Sequence, residues 1–222
     1  MGGKRVPPNH SVPGGANAPL SVKDRDEILR QIEDMTEIVK AALGVAKGWY
    51  EKNMDLAQNF AVFPSGYMGL VDGEGGLQLY KGQVRLVDRD GKKLEEFDPR
   101  NYLEHIGEHA EDWSCLKFPC YRKMRWPKGV YRVGPLGRLN VVDKINTPMA
   151  NEELNQFKAL GNGRPVGGTV RYHYARLIED LYAIERAQEI LLDPDVLSTD
   201  LMGDASGFVG EGVRCVEAPL AR

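Results

Sequence analysis

The sequence predicts a mainly α fold, a helical bundle carrying a small antiparallel β meander, and three patterns lead to it. Apolar residues recur at alternating steps of four and three from Ile28 to Trp49. The period then switches to alternation between about 67 and 97, and returns to a helical repeat from about 170 to 192. With 222 residues, 42% of them hydrophobic, the chain can bury a sizeable core and fits one domain (1–222) better than two.

The first twenty residues carry Pro7-Pro8, Pro13-Gly14-Gly15 and Pro19. Proline removes a backbone donor and glycine loosens the chain, so an ordered loop is expected here. Ser21 then opens a long helix over 21–59, with Asp24 placed to return a hydrogen bond to the free amides of the first turn. Ile28, Ile32, Met35, Val39, Ala42, Ala46 and Trp49 fall on one face. Packing against the chain's own helices is the commoner use of such a stripe, ahead of a seam for a partner.

In the 67–97 meander, Leu77, Leu79, Val84 and Leu86 alternate with polar residues, and Lys81-Gly82 and Asp90-Gly91 mark tight turns. Asp98-Pro99 reads as a cap and first-turn proline, starting a shorter helix through Tyr102, Ile106 and Ala110. From Trp113 to Val142 the aromatics, prolines and basic residues predict an irregular connector stitched down by its rings. A further helix is expected from Asn151, with Glu152 and Glu153 in its first turn, to Gly161. The last clear helix, 170–192, should bury Tyr174, Leu177, Leu181, Ile184 and Leu191 and end at Asp193-Pro194. The final thirty residues, with four glycines, read as loop with one strand around Gly212 to Val216.

Several function classes are disfavoured. A formal charge of -3, from 29 basic and 32 acidic side chains, offers no broad positive field for nucleic acid or anionic lipid. No apolar run approaches the roughly 20 residues of a membrane span, and the N-terminus does not resemble a secretory signal, so a cytoplasmic location is expected. Cys115, Cys120 and Cys215 are an odd number at irregular spacing, which suggests reduced thiols rather than a disulfide framework.

The sharpest local pattern is His105-Ile106-Gly107-Glu108-His109. On a helix, two imidazoles one turn apart bind zinc and the glutamate activates water, with Glu185 a distant candidate for third ligand, as in an inverted-motif peptidase. Exposed polar residues on an amphipathic helix interrupted by Gly107 are the simpler reading. Gly161-x-Gly163-x-x-x-Gly167-Gly168 lacks the Gly-Lys-Ser/Thr ending of a phosphate loop, so a helix end and turn is preferred. Cys115 and Cys120 lack the two-residue gap of a metal half-site, and Cys215 lies beside Glu217, which discourages a thiolate.

Taken in order, longer segments resemble the large subunits of nickel-iron hydrogenases, in the branch coupled to NAD. Gly2-Gly3-Lys4-Arg5-Val6 with Pro8 and Val12-Pro13-Gly14-Gly15 is similar to that family's glycine-proline segment. Leu79-Tyr80-Lys81-Gly82 with Arg85 and Asp90-Gly91, Trp113-Ser114 with Leu116-Lys117-Phe118-Pro119, and Tyr131-Arg132-Val133-Gly134-Pro135-Leu136 with Arg138-Leu139-Asn140 continue the likeness. Asn146-Thr147-Pro148, Ala150-Asn151-Glu152-Glu153-Leu154, Ala175-Arg176 and Glu185-Arg186-Ala187 follow in register. Gly210, Gly212 and Val213 lead to Glu217-Ala218-Pro219, which resembles the start of the family's Glu-Ala-Pro-Arg-Gly motif beside the metal centre.

The resemblance implies cleavage of dihydrogen at a nickel-iron centre, with electrons leaving through a small subunit's iron-sulfur cluster toward an NAD-linked diaphorase module. Glu217, Ala218 and Pro219 are the cofactor-side residues it implies. The departures are as informative. The family holds its nickel with two Cys-x-x-Cys pairs, and this sequence has none. Leu220-Ala221 stands where the family has Arg-Gly, Pro7 replaces a histidine before Pro8, and His10 takes an aromatic position. The resemblance therefore implies a partial, truncated large-subunit domain with no catalytic or metal-ligating residue of its own, inactive alone and binding no cofactor. The alternative within the family is a non-catalytic scaffold or docking subunit.

Overall fold

The computed structural model describes residues 10–204 and residue 213. Segment 2–8, the strand expected at Gly212 to Val216, Cys215 and the Glu217-Ala218-Pro219 motif lie outside the described residues. The architecture is mainly helical with small sheets.

Two-residue strands β1 (Ser11–Val12) and β2 (Gly15–Ala16) pair antiparallel, and Gly15 also bridges to Met202. Helix α1 (Val22–Lys52) starts where the sequence says it should: the Asp24 amide donates to Ser21 Oγ at 3.1 Å. The Asp24 carboxylate does not return a bond to the backbone; it accepts from the Ser21 hydroxyl at 2.9 Å. The 21–59 helix is in fact two, because Asn53 breaks it before α2 (Met54–Asn59), its side-chain amide donating to Trp49 O.

The buried face of α1 is also rotated from the expected one. Ile32, Thr36, Leu43 and Tyr50 are buried and Val39 and Ala46 pack beside them, whereas Met35 and Trp49 are about 40% exposed. Leu43 and Tyr50 join the core cluster that α6 (Tyr172–Leu192) completes, and Thr36 turns its hydroxyl back onto Ile32 O at 2.8 Å, so burying it leaves no unmet donor.

The sheet contains β3 (Gly66–Val71), β4 (Leu77–Gln78), β5 (Gln83–Val87) and β6 (Lys93–Phe97), all antiparallel neighbours in the order β4-β3-β5-β6. It is not a sequential meander, since β3 takes both β4 and β5 as partners. Asp72 explains the swap. Its carboxylate accepts the amides of Glu74 and Gly76, closing the β3–β4 hairpin there, so Lys81-Gly82 becomes a crossing rather than a hairpin turn. Strand β9 (Tyr131–Arg132) adds parallel to the start of β3.

Period two divides β3 between two cores. Tyr67 and Val71 face the helices, and Leu70 joins Val84 and Phe97 in a small cluster on the other face. The helical side is closed by α4 (Gly134–Val141), α5 (Pro148–Ala159) and α6, whose Leu136, Leu139, Leu154, Phe157 and Ile178 are fully buried. Burial of each such side chain contributes roughly 1.5–3 kcal/mol.

The Trp113–Val142 stretch is therefore more than a connector. It supplies β8 (Phe118–Tyr121), β9 and a core helix, although the expected ring stitching is present: Trp113, Phe118, Trp126 and His109 stack in series with centroids 4.9–5.6 Å apart. Helix α5 begins at Pro148, three residues before Asn151, because proline suits the first turn. Its first turn has no acidic residue of its own.

Candidate functional site

The expected helix from Asp98 to Ala110 stops early. Asp98 caps a 3-10 turn (Pro99–Asn101), α3 (Tyr102–His105) makes a single turn, and Ile106–His109 then becomes strand β7, paired with β8 through Gly107↔Cys120 and His109↔Phe118. This dismantles the H-x-x-E-H arrangement. An extended chain rises about 3.3 Å per residue, so His105 and His109 stand on the order of 13 Å apart along it instead of one helical turn. Each has other engagements. His105 stacks on Phe97 at 3.9 Å with its Nδ1 buried and 3.6 Å from Glu95, and His109 Nε2 meets Glu111 at 2.9 Å. Glu108 pairs with Lys117 at 2.9 Å.

Glu185, the distant ligand candidate, has a different task. Its two carboxylate oxygens accept the amides of Met149 and Ala150, each at 2.9 Å. It is the buried cap of α5, supplied from α6 in place of an acidic first turn. Elsewhere on α6, Glu179 accepts from Nε and Nη2 of Arg138 of α4, both at 2.6 Å, with the arginine 3% exposed. Glu153 accepts from Lys47 and from the Tyr174 hydroxyl. Burial first, then the Glu153 charge, pushes the Tyr174 phenol well above its ordinary value.

A second buried arginine ties layers together. Arg132 on β9 donates to Ser65 Oγ at 3.2 Å, to Ala61 O at 3.0 Å and to Thr169 Oγ1 at 3.3 Å, and its guanidinium lies 4.2 Å from the Phe63 ring centre. Close by, Gly137 lets α4 sit on the strands: a Cβ there would stand 2.6 Å from Arg132 O and 2.9 Å from Met68 O.

A cavity of about 510 Å³ opens between the β5–β6 hairpin and the 121–131 loop. Leu86, Leu94, Met124 and Val130 make it mainly apolar, with Asp88, Arg89 and Lys128 at its edge. Tyr131 lines it, and burial pushes that phenol up to about 12. The expected helix end and turn at 161–164 is present, so no phosphate cradle forms there.

Among the described residues no group of three or more His, Cys, Asp or Glu is gathered so as to hold a metal ion. Cys115 is exposed and Cys120 is buried on β8. Sequence reasoning missed the Arg138–Glu179 and Glu185 contacts. The available signal was a charged residue at a core-facing helical position, Arg138 between Leu136 and Leu139 and Glu185 beside Ile184.

No protein-family model matches the chain. A vhu subunit of the F420-non-reducing hydrogenase of Methanococcus voltae is 39% identical over 218 residues, covering 98% of this chain and 51% of its own length. The NAD-reducing hydrogenase HoxS subunit beta of Cupriavidus necator is 36% identical over 225 residues, covering 98% and 46%. A crystal structure of NAD+-reducing nickel-iron hydrogenase in the H2-reduced state superposes with a TM-score of 0.84 at 30% identity, over 91% of this chain and 45% of that one. The chain is homologous to hydrogenase subunits. A nickel-iron-selenium hydrogenase of Dm. baculatum, with a TM-score of 0.61 and 18% identity over 90% of this chain and 46% of that one, shares the fold. The chain spans about half the length of the hydrogenase relatives it matches.

A nickel-iron centre does not fit the donors on these elements. Soft metal sites need thiolates converging on one point, and the two described cysteines sit apart in opposite environments. Arg138, Glu179, Glu153 and Glu185 are engaged in pairing and capping, which ties α4, α5 and α6 to one another.

Proposed function

We propose that the chain forms part of the large, hydrogen-activating subunit of an NAD-linked nickel-iron hydrogenase, in the cytoplasm beside an NAD-linked diaphorase module and a small iron-sulfur subunit. The observation that carries this reading is the backbone agreement with NAD+-reducing hydrogenase over nearly the whole chain, at 30% identity. Relatives named for not reducing F420 are equally similar in sequence, so the assignment of NAD rests on that structural likeness. The contribution of these residues is architectural: Arg138–Glu179 and the Glu185 cap hold three helices in register, and the Glu217-Ala218-Pro219 remnant is the segment we assign to the metal side.

The purified chain is expected to carry far less than one nickel per molecule and to show no hydrogen-dependent dye reduction. Stoichiometric nickel or dye turnover by the isolated chain would overturn the reading of it as inactive alone. Affinity capture of the tagged chain is expected to bring down a small iron-sulfur subunit, and its absence from cells that make one would count against the hydrogenase assignment.

A second reading, a scaffold or docking subunit of the same family, is supported by buried charged groups spent on holding the helices together, Arg138 with Glu179 and Glu185 on the α5 amides. A stable complex with the iron-sulfur subunit that contains no nickel would select it.

A further inference from the structure

Arg171 is buried without a counter-charge. The residue is 5% exposed, its guanidinium lies 6.0 Å from the centre of the Tyr50 ring, and among the described residues its side chain makes no hydrogen bond or ion pair. The other buried charges are all matched: Arg138 by Glu179, Arg132 by three oxygens and Glu185 by two amides. A charge taken out of water with no partner is costly. Loss of solvent is the main influence on the Arg171 guanidinium and lowers its affinity for its proton, with the phenols of Tyr50 and Tyr174 acting the other way. Neither phenol supplies a negative charge, because burial raises both and keeps them protonated at neutral pH. Glu153, the carboxylate that Tyr174 touches, already accepts from Lys47 and from the Tyr174 hydroxyl.

The place of Arg171 in the fold adds to this cost. It is the N-cap residue of α6, a helix of 21 residues that starts with no side-chain cap and no acidic residue in its first turn. The positive end of a helix dipole favours an anion and disfavours a cation. Helices α1 and α5 meet that end with Asp24 and Glu185, whereas α6 meets it with a guanidinium. The arginine is also held in position. Its Cγ stands 3.9 Å from where a Cβ on Gly168 would be, and Tyr50 is anchored beside it by a 2.8 Å bond from its hydroxyl to Val170 O. Two separate features, an unmatched buried cation and an uncapped helix start, call for one negative group at one place.

We propose that Arg171 and the start of α6 form a binding site for a carboxylate supplied from outside the described residues. Charge selects the carboxylate. Its single negative charge balances one guanidinium, and its two oxygens match the planar fork. A phosphate monoester carries about -1.5 to -2 at neutral pH and would leave excess charge in the same buried place. A free carboxylic acid and an Asp or Glu side chain of another polypeptide segment present the same group. The site is independent of the hydrogenase reading and would fail without touching it.

Thermal denaturation of the purified chain tests the site with acetate as the probe, ionic strength being held constant with chloride. Acetate should raise the midpoint of the unaltered chain by about 2–4 °C more than that of Arg171→Met. Without acetate, Arg171→Met should be at least as stable as the unaltered chain, since it removes the unmatched charge and keeps the side-chain bulk. Arg171→Lys keeps the charge without the fork, so its response should fall between. In nuclear magnetic resonance spectra the Arg171 Nε proton should move along a saturable curve with acetate, and less with inorganic phosphate at equal concentration. A chain purified with a bound partner polypeptide separates the two sources: an acetate response lost there identifies a protein carboxylate, and one retained identifies a free acid. Equal acetate effects on the unaltered chain and Arg171→Met, an Arg171 signal indifferent to acetate, tighter binding of phosphate than of acetate, or a marked loss of stability in Arg171→Met without acetate would each overturn the proposal.

Discussion

Arg138 on α4 and Glu179 on α6 meet through two parallel hydrogen bonds of 2.6 Å, with the guanidinium almost fully out of water. A pair of this kind contributes little over an apolar replacement, but breaking it strands a charge. Glu179→Ala is expected to destabilise the fold by about 3–5 kcal/mol in urea denaturation. Arg138→Met with Glu179→Leu should recover most of that loss, and equal losses from the single and double variants would contradict a stranded-charge origin.

Glu185 offers a separable test. Removing its carboxylate leaves the Met149 and Ala150 amides without their buried acceptor, at a cost of about 1–3 kcal/mol for Glu185→Ala. Glu185→Gln keeps one acceptor oxygen and should fall between. Amide exchange should localise the loss to the first turn of α5; a uniform change across the chain would argue against capping.

Gly137 is required by distance. A methyl group there meets two carbonyl oxygens, Arg132 O and Met68 O, below contact distance, so Gly137→Ala must push α4 off the strands. The expected cost is about 1–3 kcal/mol, read as a lower urea midpoint. A neutral outcome would mean that the helix–strand spacing is looser than described.

Alkaline pH should unfold the chain through its phenols. Tyr131 is raised to about 12 and Tyr174 is raised further in the same direction, both chiefly by burial. In the unfolded chain each ionises near 10. Their stabilising contribution is thus complete below pH 10 and is lost as pH rises toward the folded values. Tyrosinate absorbance from these two rings should therefore rise together with loss of helical signal, and Tyr174→Phe should move that alkaline transition upward. Ionisation of both rings at pH 10 in the intact fold would refute this.

The sequence made the helices legible where capping and period agreed. Ser21 and the Asp193-Pro194 stop are where local chemistry places them, because each acts through bonds two or three residues away. Long-range pairing was not legible. Nothing near Ile106–His109 announces a strand; β8, which begins nine residues after His109, imposes it, overriding a helical pattern already weakened by Gly107. The rotation of α1 has the same origin, since only the shape of α6 decides between two apolar faces of one helix. The motif that motivated a metal-side remnant falls outside the described residues, so its geometry stays an expectation from the sequence.

Arg132 joins the loop after α2, the start of the sheet and the turn before α6 with one side chain. Those three segments lie as far as 108 residues apart in sequence, as the direct bond from Thr169 to Ala61 shows. Neither layer can loosen without releasing that common fastening. Helical and β signals should consequently disappear in a single cooperative step, and the last region to gain protection on refolding should be the one where this guanidinium closes the ring of chain.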